Sequence, residues 1–352
     1  MTKYYALGLM SGSSLDGLDM AYCEFQKSDD NWTYEIIVAE TISYTEEWIL
    51  TLKELPTATA TKVLETNTSY GKLLADQINT FVKKHNIKPD IIASHGHTIF
   101  HEPASGFTFQ LGDGQSIALN TGIKTISDFR SKDILLGGQG APLVPIGDEL
   151  LFHKFDFCLN IGGIANISFI KNSKRVAFDI CGANQILNHL SLQLGKPYDD
   201  KGNIALLGKM NPKLFEKLNK DVYFLKSYPK SLSNQYVKNY FIKIVDNFNC
   251  SIEDKLYTVT KHIAYQINEA IKDFPAARLL ITGGGAHNDF FVKAIKMETK
   301  HQLIKPDNIT IDFKEALIFA FMGVLRVLGE TNCLASVTGA IKDSSSGIVY
   351  YP

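Results

Sequence analysis

The stretch Gly8-Leu-Met-Ser-Gly-Ser-Ser-Leu-Asp-Gly-Leu-Asp19 constrains the fold more than any other part of the chain. It separates two apolar runs, Tyr4–Leu9 and Leu18–Phe25, with the composition of strands. A turn this rich in Gly, Ser and Asp is wider than a tight hairpin requires. Its glycines allow backbone N–H groups to point into one concavity, and the serine hydroxyls add donors, a surface suited to phosphate oxygens. An ordinary long hairpin loop has a similar composition, so this turn alone leaves both readings open.

The pattern recurs in Phe155-Asp-Phe-Cys-Leu-Asn-Ile-Gly-Gly-Ile-Ala-Asn-Ile-Ser-Phe-Ile170, where Gly162 and Gly163 form the turn. Two strand–glycine–strand units suggest two related half-domains facing each other. A third glycine turn, Leu279-Leu-Ile-Thr-Gly-Gly-Gly-Ala-His-Asn-Asp289, ends an apolar strand in Gly283, Gly284 and Gly285, and Asn288 or Asp289 can start a helix. A strand-to-helix turn of this kind takes a nucleotide's sugar or phosphate. In this order the three turns resemble the sugar kinase, Hsp70 and actin superfamily. That resemblance implies an α/β fold of two ribonuclease H-like domains with a cleft between them, two phosphate loops and an adenosine loop. The superfamily's usual Asp before the first phosphate loop is Met10 here.

With 352 residues the chain is long enough for two cores. Charged residues make up 21% and hydrophobic ones 45%, the balance of an ordinary globular protein. A formal net charge of -1 supplies no bulk field for nucleic acid or an anionic membrane. Cys23, Cys158, Cys181, Cys250 and Cys333 are scattered, with no CxxC pair, which fits reduced thiols in a cytoplasm better than a disulfide framework. The N-terminus lacks the pattern of a signal peptide. The apolar run Ala316–Leu325 is far short of a membrane span.

Strands and helices alternate, which argues α/β. The pattern predicts strands at Tyr34–Ile42, Asp90–Ser94, Phe107–Leu111 and Thr125–Ser127, and a long helix Thr61–His85 weakened at Gly71. It predicts a short helix Gly114–Asn120 and an ordered loop between domains at Leu136–Pro145. Helices follow at about Asn184–Leu194 and at Ile252–Ile271, and an apolar helix Lys314–Gly329 crosses back to the first domain. The expected domains are residues 1–128 with 315–352, and 129–314.

The chain resembles the anhydro-N-acetylmuramic acid kinases over nearly its whole length. Besides the three glycine turns, the matching residues include Ser94-His-Gly-His-Thr98, Gln110-Leu-Gly-Asp113, Asp128-Phe-Arg130 and Gly137-Gly-Gln-Gly-Ala-Pro-Leu-Val-Pro145. They continue through Phe178-Asp179, Tyr198-Asp-Asp-Lys-Gly202, Glu315-Ala316 and Val337-Thr-Gly-Ala340. The resemblance implies ATP-dependent, hydrolytic opening of the anhydro ring of 1,6-anhydro-N-acetylmuramic acid. Phosphorylation of O6 gives N-acetylmuramic acid 6-phosphate, an intermediate of peptidoglycan recycling.

It also implies roles. Asp179 is expected to be the general base, taking a proton from the water that attacks the anomeric carbon; capping of the following helix is the alternative. After this Asp the family commonly has Thr-Gly-Pro-Gly-Asn, and here stands Ile180-Cys-Gly-Ala-Asn184, which bears on sugar specificity. Glu315 is either a second acidic group of the active site or a helix-opening Glu favoured by the macrodipole. ATP is expected on Gly12, Ser13, Ser14, Leu15, Asp16, Gly17, Leu18 and Asp19, on Asn160, Gly162 and Gly163, and on Gly283, Gly284, Gly285 and Asn288. Mg²⁺ carried by ATP is held largely by phosphates and water, with Asp16 as the metal-touching carboxylate and Asp19 as its rival. Thr98, Asp113 and Arg130 are expected on the sugar, Arg130 through its two-pronged fit to a carboxylate, unless it pairs with Asp128. His95, His97 and His101 have a spacing that zinc accepts, although the family uses this segment as a sugar-site wall.

The implied partners are a small amino sugar and ATP, with neither nucleic acid nor membrane; a homodimer is compatible with the sequence. Two rivals remain: a kinase for another amino sugar, and a nucleotide-dependent sugar sensor without kinase activity. A Rossmann dehydrogenase fits poorly, since Gly283-Gly-Gly-Ala286 lacks the GxGxxG spacing.

Overall fold

The computed structural model describes residues 2–12, 15, 17–29 and 31–352. They form two compact units, residues 1–152 with 313–352, and residues 153–312. In the first unit the strands are β1 (Thr2–Ser11), β2 (Leu18–Ser28), β3 (Asn31–Ile42), β4 (Ile91–Glu102), β5 (Phe107–Leu111) and β6 (Thr125–Ser127). β1 lies between β2, antiparallel, and β4, parallel. Its residues Ala6–Leu9 are buried, as befits a central strand with both faces covered. β2 pairs antiparallel with β3, and β4 parallel with β6. The C-terminal strand Ile348–Tyr350 joins β6 antiparallel, and β5 pairs with β4.

The second unit repeats this order. β7 (Phe157–Ile161) pairs antiparallel with β8 (Ile164–Lys171), which pairs antiparallel with β9 (Lys174–Gly182). On its other side β7 is parallel to β10 (Arg278–Thr282), and β10 to β11 (Gln302–Ile304). With β5 set aside as an added strand on β4, the first unit runs β3–β2–β1–β4–β6 and the second β9–β8–β7–β10–β11, with the same strand senses. This is the expected ribonuclease H-like order, present twice. Each unit has its own core: Leu7, Leu9, Tyr70, Ile78 and Phe81 belong to the first, and Phe157, Phe169, Ile186, Ile263 and Phe291 to the second.

The long helix runs Ala60–His85, opened by Thr59, whose side chain accepts from Lys62 N. Gly71 does not weaken it. A Cβ there would lie 2.8 Å from the Asp113 carbonyl oxygen, so the glycine admits the loop that carries Asp113. β4 is longer than expected and continues past Ser94 through Gly96, where φ is 72°. A Cβ at Gly96 would sit 2.4 Å from the Leu111 carbonyl, so only glycine keeps the β4–β5 pairing at this point.

The first domain boundary falls at 152, not 128. Residues 129–152 stay with the first unit because Phe129 packs on Phe319 and Arg130 binds His95. Gly147 also packs against Ile318. The loop Leu136–Pro145 is therefore internal to the first unit rather than a link between domains.

The apolar helix spans Asn308–Leu328 and begins earlier than the apolar pattern alone indicates, with Thr310 N bonded to Asp307 Oδ1. It presses on the first sheet: a Cβ at Gly8 would lie 1.9 Å from the Ala316 carbonyl oxygen, and one at Gly323 2.7 Å from Ala93 Cβ. Gly8→Ala is therefore expected to lower the unfolding free energy by about 1–3 kcal/mol or to prevent folding, as read by urea denaturation.

Candidate active site

In the second unit the Gly162–Gly163 turn joins β7 to β8 and is tied to the helix Asn184–Leu192. The Gly163 carbonyl accepts from Ala183 N at 2.8 Å and Gln185 N at 3.2 Å, and the Gly162 carbonyl from Asn184 N at 3.1 Å. Beside this turn β10 ends at Gly283, whose φ is 80°. A Cβ on Gly283 would lie 2.6 Å from Asn160 Oδ1 and 2.8 Å from the Ile161 carbonyl. Asn288 caps the helix Asp289–Glu298 by accepting from Phe291 N at 2.9 Å. Asn160, Gly162, Gly163, Gly283, Gly284 and Gly285 thus gather at one corner of the sheet.

Two of these glycines answer to nothing in the fold. Gly162 and Gly284 have no positive φ, and an added Cβ would meet only ordinary contacts, at 3.7 Å and 3.8 Å. Their bare backbone leaves room for a molecule that is not protein. Gly283 and Gly285, in contrast, are required by packing against Asn160 and Ile161.

Asp179 lies inside β9 rather than at its end, opposite Asn166. Cys181 faces Ala165, so Ile180 is the extra residue of a bulge that re-aims this stretch. Asp179 does not cap the next helix, whose N-cap is Ala183 without a side-chain bond. A strap, residues 222–232, runs along the free edge of β9. Asp179 N donates to the Lys230 carbonyl at 3.2 Å, Tyr223 Oη donates to the Asp179 carbonyl at 2.5 Å, and Leu232 N donates to Asp179 Oδ2 at 2.8 Å. Burial raises the Asp179 carboxyl above its ordinary value, opposed by the Leu232 N–H. Ile180, which stands where the family commonly has Thr, and Cys181 after it are buried in the core.

In the first unit Glu315 lies about two turns inside its helix, not at the N-terminus, so the macrodipole does not account for it. Burial raises its carboxyl, with Arg130 and then Lys314 opposing. Lys314 forms an ion pair with Asp148 at 2.6 Å, both side chains about 5% exposed. Arg130 does not pair with Asp128, whose Oδ1 accepts from Ser131 N. Its Nε and Nη2 instead donate to His95 Nε2 at 3.0 and 2.8 Å, and Nη1 to the Gly140 carbonyl at 2.5 Å. His95 Nδ1 faces the Gly96 carbonyl at 2.8 Å and so carries the proton, which leaves Nε2 as the acceptor. Burial, then Arg130, holds His95 well below its ordinary value. Burial lowers Arg130 to about 10, opposed first by Glu315.

Asp113 caps the helix Gly114–Thr121 through Oδ2, accepting from Ser116 N at 2.9 Å. It shares a cavity of about 150 Å³ with His95, Gln110 and Asp128. Thr98 is exposed on β4, beside Gln110, and accepts from its amide at 3.4 Å.

The three histidines do not converge. His95 serves Arg130, while His97 Nδ1 meets Ser11 Oγ at 2.9 Å and His101 Nδ1 meets Thr108 Oγ1 at 3.1 Å. Among the described residues no cluster of His, Cys, Asp or Glu is placed to hold a metal ion. Ser13, Ser14 and Asp16 lie outside the described residues. Of the same loop, Gly12 accepts from Leu15 N at 3.4 Å, Gly17 packs on Thr41 and Ile42, and Leu18 is buried. Asp19 Oδ1 accepts from Thr41 Oγ1 at 2.6 Å.

A family model for anhydro-N-acetylmuramic acid kinase matches residues 3–352. The chain belongs to the anhydro-N-acetylmuramic acid kinase family. It is 32% identical over 373 residues to the anhydro-N-acetylmuramic acid kinase of Sulfurimonas denitrificans, covering 99% of this chain and 100% of the relative. Identity to that of Actinobacillus pleuropneumoniae serotype 7 is 33% over 368 residues, with 99% and 100% covered. Among solved structures, the activator of the 2-hydroxyisocaproyl-CoA dehydratase from Clostridium difficile with bound ADPNP aligns with 92% of this chain and 97% of its own, at TM-score 0.44 and 16% identity.

Within this anhydro-N-acetylmuramic acid kinase family member, three features escaped the sequence. The strap is 53 positions from Asp179 and has no motif of its own. His95 gave a metal signal but serves as the acceptor for Arg130. Asp133, 1% exposed, accepts from Gly140 N and from Thr338 Oγ1, and thereby fixes the Gly140 carbonyl that Arg130 needs.

Gly162→Ala and Gly284→Ala are expected to keep or raise stability by up to about 1 kcal/mol. Gly283→Ala, which meets Asn160 at a positive φ, should lose about 1–3 kcal/mol in the same urea titration. Both carboxyls titrate higher folded than unfolded, so the folded chain binds more protons, starting from the ordinary values of 3.8 for Asp179 and 4.5 for Glu315. Stability therefore falls as pH rises through that window. Asp179→Asn and Glu315→Gln should each melt above wild type at pH 7, with the gap closing towards pH 4; melting curves across pH check the sign.

Proposed function

We propose that this chain is an ATP-dependent kinase that opens the anhydro ring of 1,6-anhydro-N-acetylmuramic acid with water and phosphorylates O6, yielding N-acetylmuramic acid 6-phosphate for cell-wall recycling in the cytoplasm. Family membership supports the reaction. The observation that carries it in this chain is a carboxylate, Asp179, raised by burial and held in a fixed orientation by one backbone N–H. A carboxylate with raised proton affinity and a held orientation suits the part of a general base.

In this reading Asp179 takes a proton from the water that bonds to the anomeric carbon. The bond from that carbon to O6 breaks, and O6 bonds to the γ-phosphorus as ADP leaves. Glu315, protonated more readily than an exposed Glu, stands by in the first unit as the second acid. Arg130, with Asp113 and Thr98, serves the sugar, its guanidinium oriented by His95 and the Gly140 carbonyl. The nucleotide phosphates fit the open corner at Gly162 and Gly284, with Asn160, Gly163, Gly283, Gly285 and Asn288 around it, and the first loop, Gly12–Asp19, supplies further contacts. Mg²⁺ enters with the ATP phosphates, held largely by them and by water, with Asp16 or Asp19 as the carboxylate that touches it.

A second reading has one observation in its favour. Ile180 and Cys181 carry no hydroxyl and are buried, so this stretch offers the sugar no side-chain contact, and a different amino sugar is the acceptor in that case.

Incubation with Mg-ATP and the anhydro sugar in ¹⁸O-water should give a sugar phosphate with one ¹⁸O at the anomeric carbon by mass spectrometry. A phosphate ester without that label would indicate simple phosphorylation of another hydroxyl. Asp179→Asn is expected to lose about 10²–10⁴ in kcat while its ATP affinity in calorimetry stays near wild type. Gly162→Ala and Gly284→Ala, still folded, should weaken ATP about tenfold or more.

A further inference from the structure

A cavity of about 490 Å³ in the second unit lies along β9 and falls in the size range of small-molecule sites. Phe178 and Ile180 line it; Asp179, between them in the chain, does not. The strap that fixes Asp179 forms another wall, through Lys226, Tyr228 and Lys230, and Lys171 closes a third side. Among the described residues none of these three lysines has a carboxylate partner. Their partners are neutral instead: Lys171 donates to the Tyr228 hydroxyl, Lys230 donates to the Tyr223 carbonyl at 3.5 Å with its ammonium 4.7 Å from the Tyr223 ring centroid, and Lys226 lies 5.9 Å from that centroid. Burial lowers the Lys230 ammonium, and Lys226 beside it adds to the effect. Of the two acids at the cavity, Glu269 is taken by Lys272 at 2.7 Å, leaving Asp273 alone against three cations.

We propose that this cavity binds a small phosphorylated molecule, its phosphate on Lys171, Lys226 and Lys230 and its body against the aromatic floor. A phosphate monoester supplies the charge and the several acceptor oxygens that three ammonium groups require. Occupancy reaches Asp179 through the strap. Lys230 contributes its ammonium to the cavity and its carbonyl to Asp179 N, and Leu232, two residues on, donates to the carboxylate. The link to catalysis rests on Asp179 being the base; binding in the cavity does not.

Calorimetry on the full chain, with ADP saturating, tests the site with glucose 6-phosphate, with inorganic phosphate for the anion alone, and with glucose as the neutral control. Both anions should bind and glucose should not. The Lys171→Glu/Lys226→Glu double variant, altered at two exposed positions, should lose at least about tenfold in affinity and keep its ADP affinity, and the Arg pair should restore binding. No binding to wild type, or equal binding to the reversed variant, would overturn the site. Hydrogen exchange in residues 222–232 should slow on binding; unchanged exchange with the anion bound would overturn the link to Asp179. Binding by a preparation without kinase activity would uphold the site and count against the proposed reaction alone.

Discussion

The first unit depends on how closely the helix Asn308–Leu328 meets β1. The Ala316 carbonyl sits where a side chain at position 8 would otherwise be, and only a bare Cα allows that approach. With Ala316 fixed, its neighbours are fixed as well. Lys314 reaches Asp148, a buried ion pair that is costly to break because either partner would be left as an uncompensated charge. Phe319 covers His95 and Phe129, and Glu315 comes under the influence of Arg130.

The two carboxylates proposed for the chemistry owe their raised affinity for protons to burial, but they are restrained differently. Asp179 has one backbone N–H from the strap. Glu315 has two cations, Arg130 and Lys314, each of which is itself held: Arg130 by His95 and Gly140, Lys314 by Asp148. Groups whose surroundings set their proton affinities separately are suited to separate acid and base duties. The cost is that both destabilise the folded chain at neutral pH, a common property of sites shaped for reaction.

Glycines in this chain fall into two kinds. Gly8, Gly71, Gly96 and Gly283 serve the fold, because a Cβ at each would strike backbone or a packed side chain. Gly162 and Gly284 serve nothing inside the protein, which is why they single out the corner proposed for the nucleotide better than the glycine-rich sequence around them. Composition cannot distinguish the kinds; the space around each Cα does.

Much of the fold was legible in the sequence, because apolar runs with glycine turns between them report locally on strands. The repeated strand–glycine–strand units, the long helix, the helix Ile252–Ile271 and the family all followed from residues near one another in the chain. Asn288 as a helix cap was visible in the same way. What tertiary structure alone decided depends on partners far apart in sequence. The boundary at 152 rests on Phe129 and Arg130 finding partners across the sheet and on the returning helix. The interior place of Glu315 rests on where that helix starts, which an apolar run underestimates because its first two turns alternate polar and apolar residues. The duty of His95 as a neutral acceptor, and of the strap as the holder of Asp179, comes from hydrogen bonds spanning 35 and 53 positions, and no local pattern encodes such distances.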